Sequence, residues 1–252
     1  MNSRFIIGAG TSTRKLIVDC LEDAIGDRLK EDVQRNHLRT HNGDGGRVWD
    51  FINTGLCECF DSPDCMARIS KRGPWEMVLV YERESKRLFT IMREARFAAI
   101  RKEQPRRRRM HYLDMLARHL NSDLLAPGQI GLFEKTFVDE DDLKELVGRL
   151  LSTLESDGLV IERHVLVLFE SRGYQLTSVR AVMVDTNLNI AAEEVWTSSI
   201  AAADSVIVDT VDDANAPEND PNHGLRLTSK AAARKKDKQR LKQQKDEQTN
   251  KD

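Results

Sequence analysis

The feature that most constrains the fold is a series of three strand-like segments between residues 164 and 196. The segments are His164–Phe169, Thr177–Val184 and Ile190–Trp196, and they are rich in β-branched and large apolar residues. Ser171-Arg172-Gly173 and Asp185-Thr186-Asn187 separate them, and residues of these types are typical of turns. The spacing predicts three strands of a meander.

A second strand pair is predicted earlier in the chain. Trp75–Tyr81 and Leu88–Met92 are rich in strand-forming residues and flank the polar turn Glu82–Arg87, so residues 75–92 form a predicted hairpin. Arg4–Ile7 is expected to add a short strand. Because helical segments separate the two units, the sequence predicts an α+β fold with a mostly antiparallel sheet.

Apolar residues at helical spacing predict the N-terminal and central helices. One helix is expected over residues 14–35, where apolar residues recur every fourth position, and a shorter one over residues 48–60. Residues 93–102 form either a short helix or an extension. Another helix opens at Asp139–Asp142 and stops near Gly158, since acids favour a helix N-terminus and glycine a C-terminus.

Charge is unevenly distributed, although Lys plus Arg (39) and Asp plus Glu (41) nearly balance. Residues 204–220 hold six acids and no Lys or Arg, whereas residues 234–245 hold seven basic residues and one acid. Low hydrophobicity and clustered like charges are typical of disordered segments. We therefore expect one α+β domain over residues 1–200, followed by a disordered acidic linker and basic tail over residues 201–252.

No apolar run approaches the roughly 18 residues that a membrane span needs, so no membrane partner is expected. Four cysteines in a chain of this length do not indicate a disulfide scaffold, and a reduced cytoplasmic protein is predicted. The sequence predicts no cofactor, and it does not indicate an oligomeric state.

The arginine run that follows Pro105 is the main candidate for a binding site. Proline favours the first position of a helix, so Arg106, Arg107, Arg108 and Arg109 are expected in the first turn of a helix that begins at Pro105 and continues through the amphipathic stretch Met110–Leu120. Cations are unfavourable there, and an anion would compensate. Acids of the chain itself, at Glu82, Glu84 and Asp139–Asp142, are the alternative partners.

Further basic residues extend this candidate site. They are Arg101 and Lys102 before the run and Arg234, Lys235 and Lys236 in the tail. Arginine binds phosphate through two hydrogen bonds, and a basic tail adds affinity that is independent of base sequence. The expected activity is non-enzymatic binding or regulation, with RNA, DNA or an acidic protein surface as the partner.

A ribonuclease is the first alternative. Arg35-Asn36-His37-Leu38-Arg39-Thr40-His41 resembles the Arg-Asn…His signature of the HEPN ribonucleases, with five residues between Arg35 and His41. The resemblance covers these seven residues. It implies an all-helical bundle and metal-independent RNA cleavage, with Arg35 stabilising the phosphate and His41 assisting proton transfer.

A divalent-metal nuclease is the second enzymatic alternative. Pro63-Asp64 followed by Glu84-Ser85-Lys86 resembles the pattern of the PD-(D/E)XK nucleases. The resemblance implies that Asp64 and Glu84 hold the metal while Lys86 helps to activate water. A solvated hairpin turn is the structural interpretation of the same residues.

Two further patterns in the sequence have a structural interpretation that requires no functional site. Cys57, Cys59 and Cys65 lack the C-x-x-C spacing of zinc sites and are expected to be buried apolar residues, so no metal is predicted. Gly8–Thr13 resembles a phosphate-binding turn, but it lacks the third glycine of G-x-G-x-x-G. Thr11, Ser12 or Thr13 is expected to cap the first helix.

Overall fold

A six-stranded sheet forms the centre of the chain. The computed structural model describes residues 6–72, 75–104, 110–124 and 140–197. The strands, in their order across the sheet, are β1 (Cys65–Arg72), β2 (Trp75–Glu82), β3 (Arg87–Arg93), β4 (Arg163–Arg172), β5 (Gln175–Val184) and β6 (Ile190–Val195). Every neighbouring pair is antiparallel except β3 and β4, which are parallel. The predicted α+β class, with its mostly antiparallel sheet, is confirmed.

Helices cover both faces of this sheet. They are α1 (Thr11–Ile25), α2 (Asp27–Arg35), α3 (Asp44–Cys59), α4 (Glu94–Glu103), α5 (Tyr112–Leu120) and α6 (Glu140–Glu155). Buried residues of α1–α3 pack on one face, which we call the α1 face, and those of α4–α6 pack on the other, the α4 face. None of the helices in the described ranges has the length and apolar character of a membrane span.

Alternation of side chains along the central strands separates the two cores. Val165 and Val167 of β4 join the core of the α1 face, whereas Leu166 and Leu168 join that of the α4 face. Successive side chains of a strand point to opposite faces, so a strand buried on both faces is apolar at nearly every position. This explains why the predicted segment His164–Phe169 shows no polar alternation.

The predicted hairpin and meander belong to one sheet because β3 and β4 pair in parallel, with Phe89 opposite Val165. Parallel neighbours need a long crossover connection, and here it contains α4, α5 and α6. Strand β1, to which the sequence analysis assigns no element, lies at the edge of the sheet. Its polar residues, including Arg68 and Ser70, obscure the strand pattern.

The predicted single helix over residues 14–35 is wrong, because the chain breaks at Gly26 between α1 and α2. Gly26 has φ −87° and ψ −94°, and its N–H donates to the carbonyl of Glu22 at 2.8 Å. A Cβ at this position would lie 2.8 Å from the Glu22 carbonyl oxygen and 3.5 Å from that of Tyr174. The apolar periodicity continues through the break, so periodicity alone does not detect it.

The predicted strand at Arg4–Ile7 is not formed at its described residues, since Ile6 and Ile7 lie outside any helix or strand. Residues 1–5 lie outside the described part of the chain. Residues 198–252 also lie outside it, so the domain boundary near residue 200 and the disordered tail remain predictions.

The helix after the arginine run begins later than predicted. Its N-cap is His111, with φ −85° and ψ 154°, and the first helical residue is Tyr112. The Asp114 carboxylate accepts from the backbone N–H of His111 at 2.9 Å, while Nδ1 of His111 accepts from the N–H of Leu113 at 3.3 Å. This capping box closes the N-terminus of α5, so the first turn of α5 contains no arginine.

Candidate nucleic-acid interface

The last turn of α4 carries two of the predicted basic site residues, Arg101 and Lys102. Phe97 and Ile100 are buried against the α4 face of the sheet and hold the helix in place. Arg101 and Lys102 are exposed, as is Arg96 one turn earlier. Cations are favourable at a helix C-terminus, so the helix itself tolerates them without acidic partners. We call Arg96, Arg101 and Lys102 the α4 basic surface.

No carboxylate in the described ranges lies within ion-pair distance of the α4 basic surface. Arg101 donates from Nη2 to the neutral Oδ1 of Asn189, at 2.9 Å. Other arginines do pair with carboxylates, and these are Arg14, Arg28, Arg35, Arg47, Arg68, Arg149, Arg163 and Arg180. Within the described ranges, the cations at the end of α4 therefore differ from these arginines in having no carboxylate partner.

The chain is fixed on both sides of the arginine run. Before the run, Nε2 of Gln104 donates to Oδ1 of Asp114 and to the carbonyl of Thr186, both at 3.2 Å. After the run, the backbone of His111 donates to the other carboxylate oxygen of Asp114. The buried carboxylate of Asp114 thus accepts hydrogen bonds from the residues on both sides of the run, Gln104 and His111. Arg106–Arg109 lie outside the described residues, as do Arg234, Lys235 and Lys236 of the tail.

Glu82, one of the acids considered as an internal partner for the run, is engaged elsewhere. Its carboxylate lies on the α1 face and accepts from the backbone N–H of Gly10 at 3.1 Å and from the hydroxyls of Thr13 and Ser85. Glu84 is exposed in the β2–β3 turn. Asp139 and the side chains of residues 140–142 lie outside the described part of the chain.

The same contacts explain the glycine-rich segment before α1. Gly10 is the N-cap of α1, and a Cβ there would lie 2.8 Å from Oε1 of Glu82. The anion at this helix N-terminus is therefore a carboxylate of the chain itself. The prediction that Thr11, Ser12 or Thr13 caps the helix is wrong, because Glu82 replaces a local side-chain cap.

The residues that resemble a HEPN signature lie at the end of α2 and in the loop after it. Nη2 of Arg35 is 3.8 Å from a carboxylate oxygen of Glu31, and Nδ1 of His41 is 2.8 Å from Oδ2 of Asp44. Asp44 also pairs with Arg47, which lies 3.0 Å from Asp32. We call Asp32, His41, Asp44 and Arg47 the Arg47 cluster. The observed sheet differs from the all-helical bundle that the resemblance implies.

The nuclease-like residues come closer together than their sequence separation suggests. The carbonyl of Asp64 accepts from the N–H of Arg83 at 2.8 Å, so Asp64 adjoins the turn that contains Glu84. Lys86, however, is paired with Glu162 at 2.7 Å. Within the described ranges, no group of three or more His, Cys, Asp or Glu side chains is placed to hold a metal ion. The E-S-K residues occupy a solvated turn.

The cysteines are free thiols but not uniformly buried, which corrects the sequence interpretation. Cys20 is buried, Cys57 and Cys65 are half-buried, and Cys59 is exposed at the end of α3. Burial raises the pKa of Cys65 to about 11. Sγ of Cys59 lies 3.2 Å from Sγ of Cys20 on α1, a contact between cysteines of different helices that sequence spacing did not indicate.

A buried polar network that the sequence analysis missed joins α5 to the sheet. Nε2 of His164 lies 2.8 Å from Oγ1 of Thr90, and burial lowers the pKa of His164 to about 3. The side chain of Asn121 bonds the backbone N–H and carbonyl of His164, at 3.1 and 2.9 Å. The network connects the C-terminal end of α5 to β4. Its only sequence signal was a polar residue, His164, at the start of an apolar segment.

Comparisons with known proteins identify a family without assigning a function. A family model described as "Family of unknown function (DUF5986)" matches residues 8–245. No curated protein and no solved structure matches the chain. Any functional conclusion therefore depends on the residues described above.

Proposed function

The chain belongs to the DUF5986 family, and we propose that it is a non-enzymatic protein that binds nucleic acid through its phosphate backbone. The contact surface consists of the α4 basic surface, the arginine run Arg106–Arg109 that follows it, and the basic tail. The observation that supports this most is the availability of Arg101 and Lys102. They are exposed, have no carboxylate partner in the described ranges, and are separated from the run only by Glu103, Gln104 and Pro105.

Arginine is suited to this role because its planar guanidinium forms two parallel hydrogen bonds to a phosphate. Gln104 and His111, which flank the run in the sequence, both bond the carboxylate of Asp114, and Gln104 also bonds the carbonyl of Thr186 in the β5–β6 turn. The basic tail adds an electrostatic contribution that falls as salt rises.

The regulatory part of the proposal concerns the acidic linker. Its six acids lie in sequence between the folded domain and the basic tail and compete with phosphate for the arginines. Replacing the acids of residues 204–220 by Asn and Gln, with the tail retained, is expected to raise affinity for nucleic acid. Unchanged or weaker binding would reject the competition. We also propose a cytoplasmic setting, because the four cysteines are free thiols.

Fluorescence anisotropy of the full chain with short labelled RNA and DNA, over a series of salt concentrations, tests the proposal. The Arg101→Glu/Lys102→Glu variant should bind more weakly, and its plot of log affinity against log salt should be flatter by about 1 to 2. Arg39→Glu/Arg172→Glu is the matched control. It makes the same charge change at exposed arginines elsewhere, so its binding should fall much less.

Other outcomes of this experiment identify the alternatives. No binding of either nucleic acid at low salt would reject the proposal and favour an acidic protein surface as the partner. RNA cleavage that persists in EDTA and is lost in His41→Ala would favour the ribonuclease. Magnesium-dependent cleavage that is lost in Asp64→Ala would favour the metal nuclease. Equal losses in the two charge-reversal variants would show that only overall charge matters.

A further inference from the structure

Two cysteines from different helices meet on the α1 face. Cys20 lies in α1 and is buried, whereas Cys59 is the last residue of α3 and is exposed. Their sulfur atoms are 3.2 Å apart, although the residues are 39 positions apart in the sequence. A disulfide bond is about 2.05 Å long, so closure requires a movement of only about 1.2 Å.

The packing of α1 on α3 explains this contact. Gly55 lies one turn before Cys59 and is buried against Cys20, where a Cβ at Gly55 would be 3.7 Å from Sγ of Cys20. Residues four positions apart share a helix face, so Gly55 and Cys59 present the same side of α3 to α1. Gly55 and Cys59 therefore both face Cys20, and the packing of α1 on α3 at Gly55 places Cys59 next to Cys20.

We propose that Cys59 and Cys20 form a peroxide-reactive pair, in which exposed Cys59 is oxidised first and Cys20 then closes an intramolecular disulfide. The oxidant is hydrogen peroxide or a related hydroperoxide. This inference does not depend on nucleic-acid binding.

The chemistry balances in two steps. The Cys59 thiolate attacks one peroxide oxygen and breaks the O–O bond, and the released hydroxide takes the thiol proton as water, leaving a sulfenic acid. The sulfur of Cys20 then attacks the Cys59 sulfur, and the sulfenic hydroxyl leaves as a second water with the Cys20 proton. Two thiols are oxidised to a disulfide while one peroxide is reduced to two waters.

The surroundings separate the roles of the two thiols. Burial, together with neighbouring Cys59, raises the pKa of Cys20, so Cys20 is protonated at neutral pH and is shielded from direct attack by peroxide. Burial also raises the pKa of Cys57 and Cys65, which are both half-buried. Cys59 is the one exposed cysteine of the four. Its sulfenic acid would form directly against the Cys20 sulfur.

Mass spectrometry of the full chain after brief peroxide treatment tests the proposal. The protein should lose two hydrogen atoms, and the peptide that contains Cys20 should be joined to the one that contains Cys59 until a reductant is added. Because the bond closes a long loop between α1 and α3, the oxidised form should melt roughly 5 to 10 °C higher.

Single variants make the assignment specific. Cys59→Ser should abolish the cross-link, whereas Cys20→Ser should accumulate a sulfenic acid on Cys59 that dimedone traps. Cys57→Ser and Cys65→Ser are the matched controls and should form the cross-link as the original chain does. A disulfide that joins Cys59 to Cys57 or Cys65, or oxidised Cys59 beside a free Cys20, would overturn the proposal.

Discussion

The Arg47 cluster and the α4 basic surface both contain basic side chains, but the surroundings of those side chains differ. In the Arg47 cluster, Arg47 lies 3.0 Å from Asp32, and Asp44 pairs with both Arg47 and His41. On the α4 basic surface, the described contact of Arg101 is with a neutral amide. Basic residues that are close in the sequence can therefore have two different roles in the folded protein. Paired cations contribute to the folded state, while unpaired cations are available for a partner.

The largest expected effect concerns the proposed nucleic-acid interface, of which the α4 basic surface is a part. Replacing Arg106–Arg109 by alanine would remove the four proposed phosphate contacts and should weaken nucleic-acid binding on the order of 100-fold at low salt. Anisotropy measures the affinity, and urea unfolding should show little change in stability because α5 is capped by His111 rather than by the run. An alanine variant of Arg35, Arg39, Arg83 and Arg172 controls for net charge. An equal loss in that control would contradict the comparison.

The second prediction concerns acid stability and the buried His164, which lies outside both regions. His164 is fully buried and its pKa is lowered by burial to about 3, so the unfolded chain takes up its proton first as the pH falls. Stability should therefore fall by about 1.4 kcal/mol per pH unit from about pH 6 towards pH 3. Chemical denaturation at several pH values measures this slope.

A variant separates the contribution of His164 from general acid effects. His164→Gln should be less stable at neutral pH, because it disturbs the contact with Thr90, but its stability should depend less steeply on pH. His119 is exposed, so His119→Gln should retain the original slope. A slope that is identical in all three proteins would show that His164 does not control acid stability.

The sequence predicted those parts of the fold that depend on local patterns. The hairpin, the meander and the α+β class follow from apolar segments bounded by turn residues, and the structure confirms them. The parallel pairing of β3 with β4 could not be predicted, because it depends on packing of distant segments. The break at Gly26 was also missed, since the apolar periodicity continues through it and the break lies in the backbone angles of Gly26.

The candidate site was less predictable than the fold. Exposure of Arg101 and Lys102 follows from buried Phe97 and Ile100 at helical spacing. The role of Glu82 did not follow from sequence, because its partner Gly10 is 72 residues away. The helix start at Tyr112 was missed because proline suggested an earlier start, while the capping box depends on the side chains of His111 and Asp114. Which charged side chains pair depends on the tertiary structure, so the sequence alone does not predict it.

The third prediction concerns stability at the Arg47 cluster. Asp32→Asn/Asp44→Asn leaves the guanidinium of Arg47, whose side chain is 27% exposed, without a carboxylate. Loss of these partly buried pairs should lower the free energy of unfolding by about 1 to 2 kcal/mol, as measured by urea denaturation. Glu103→Gln on α4 removes an exposed acid and should change it by less than about 0.5 kcal/mol. Equal effects would mean that pairing does not distinguish the regions.

The smallest expected effect asks whether pairing alone prevents the Arg47 cluster from binding phosphate. In the same Asp32→Asn/Asp44→Asn variant, Arg47 and His41 lose their acidic partners and come to resemble the α4 basic surface. Affinity for RNA at low salt should rise roughly two- to threefold, and the gain should vanish at high salt because it is electrostatic. Asp19→Asn/Asp50→Asn makes the same charge change at exposed acids elsewhere and should give a smaller gain. If the two double variants gain equally, overall charge explains the effect and local pairing does not.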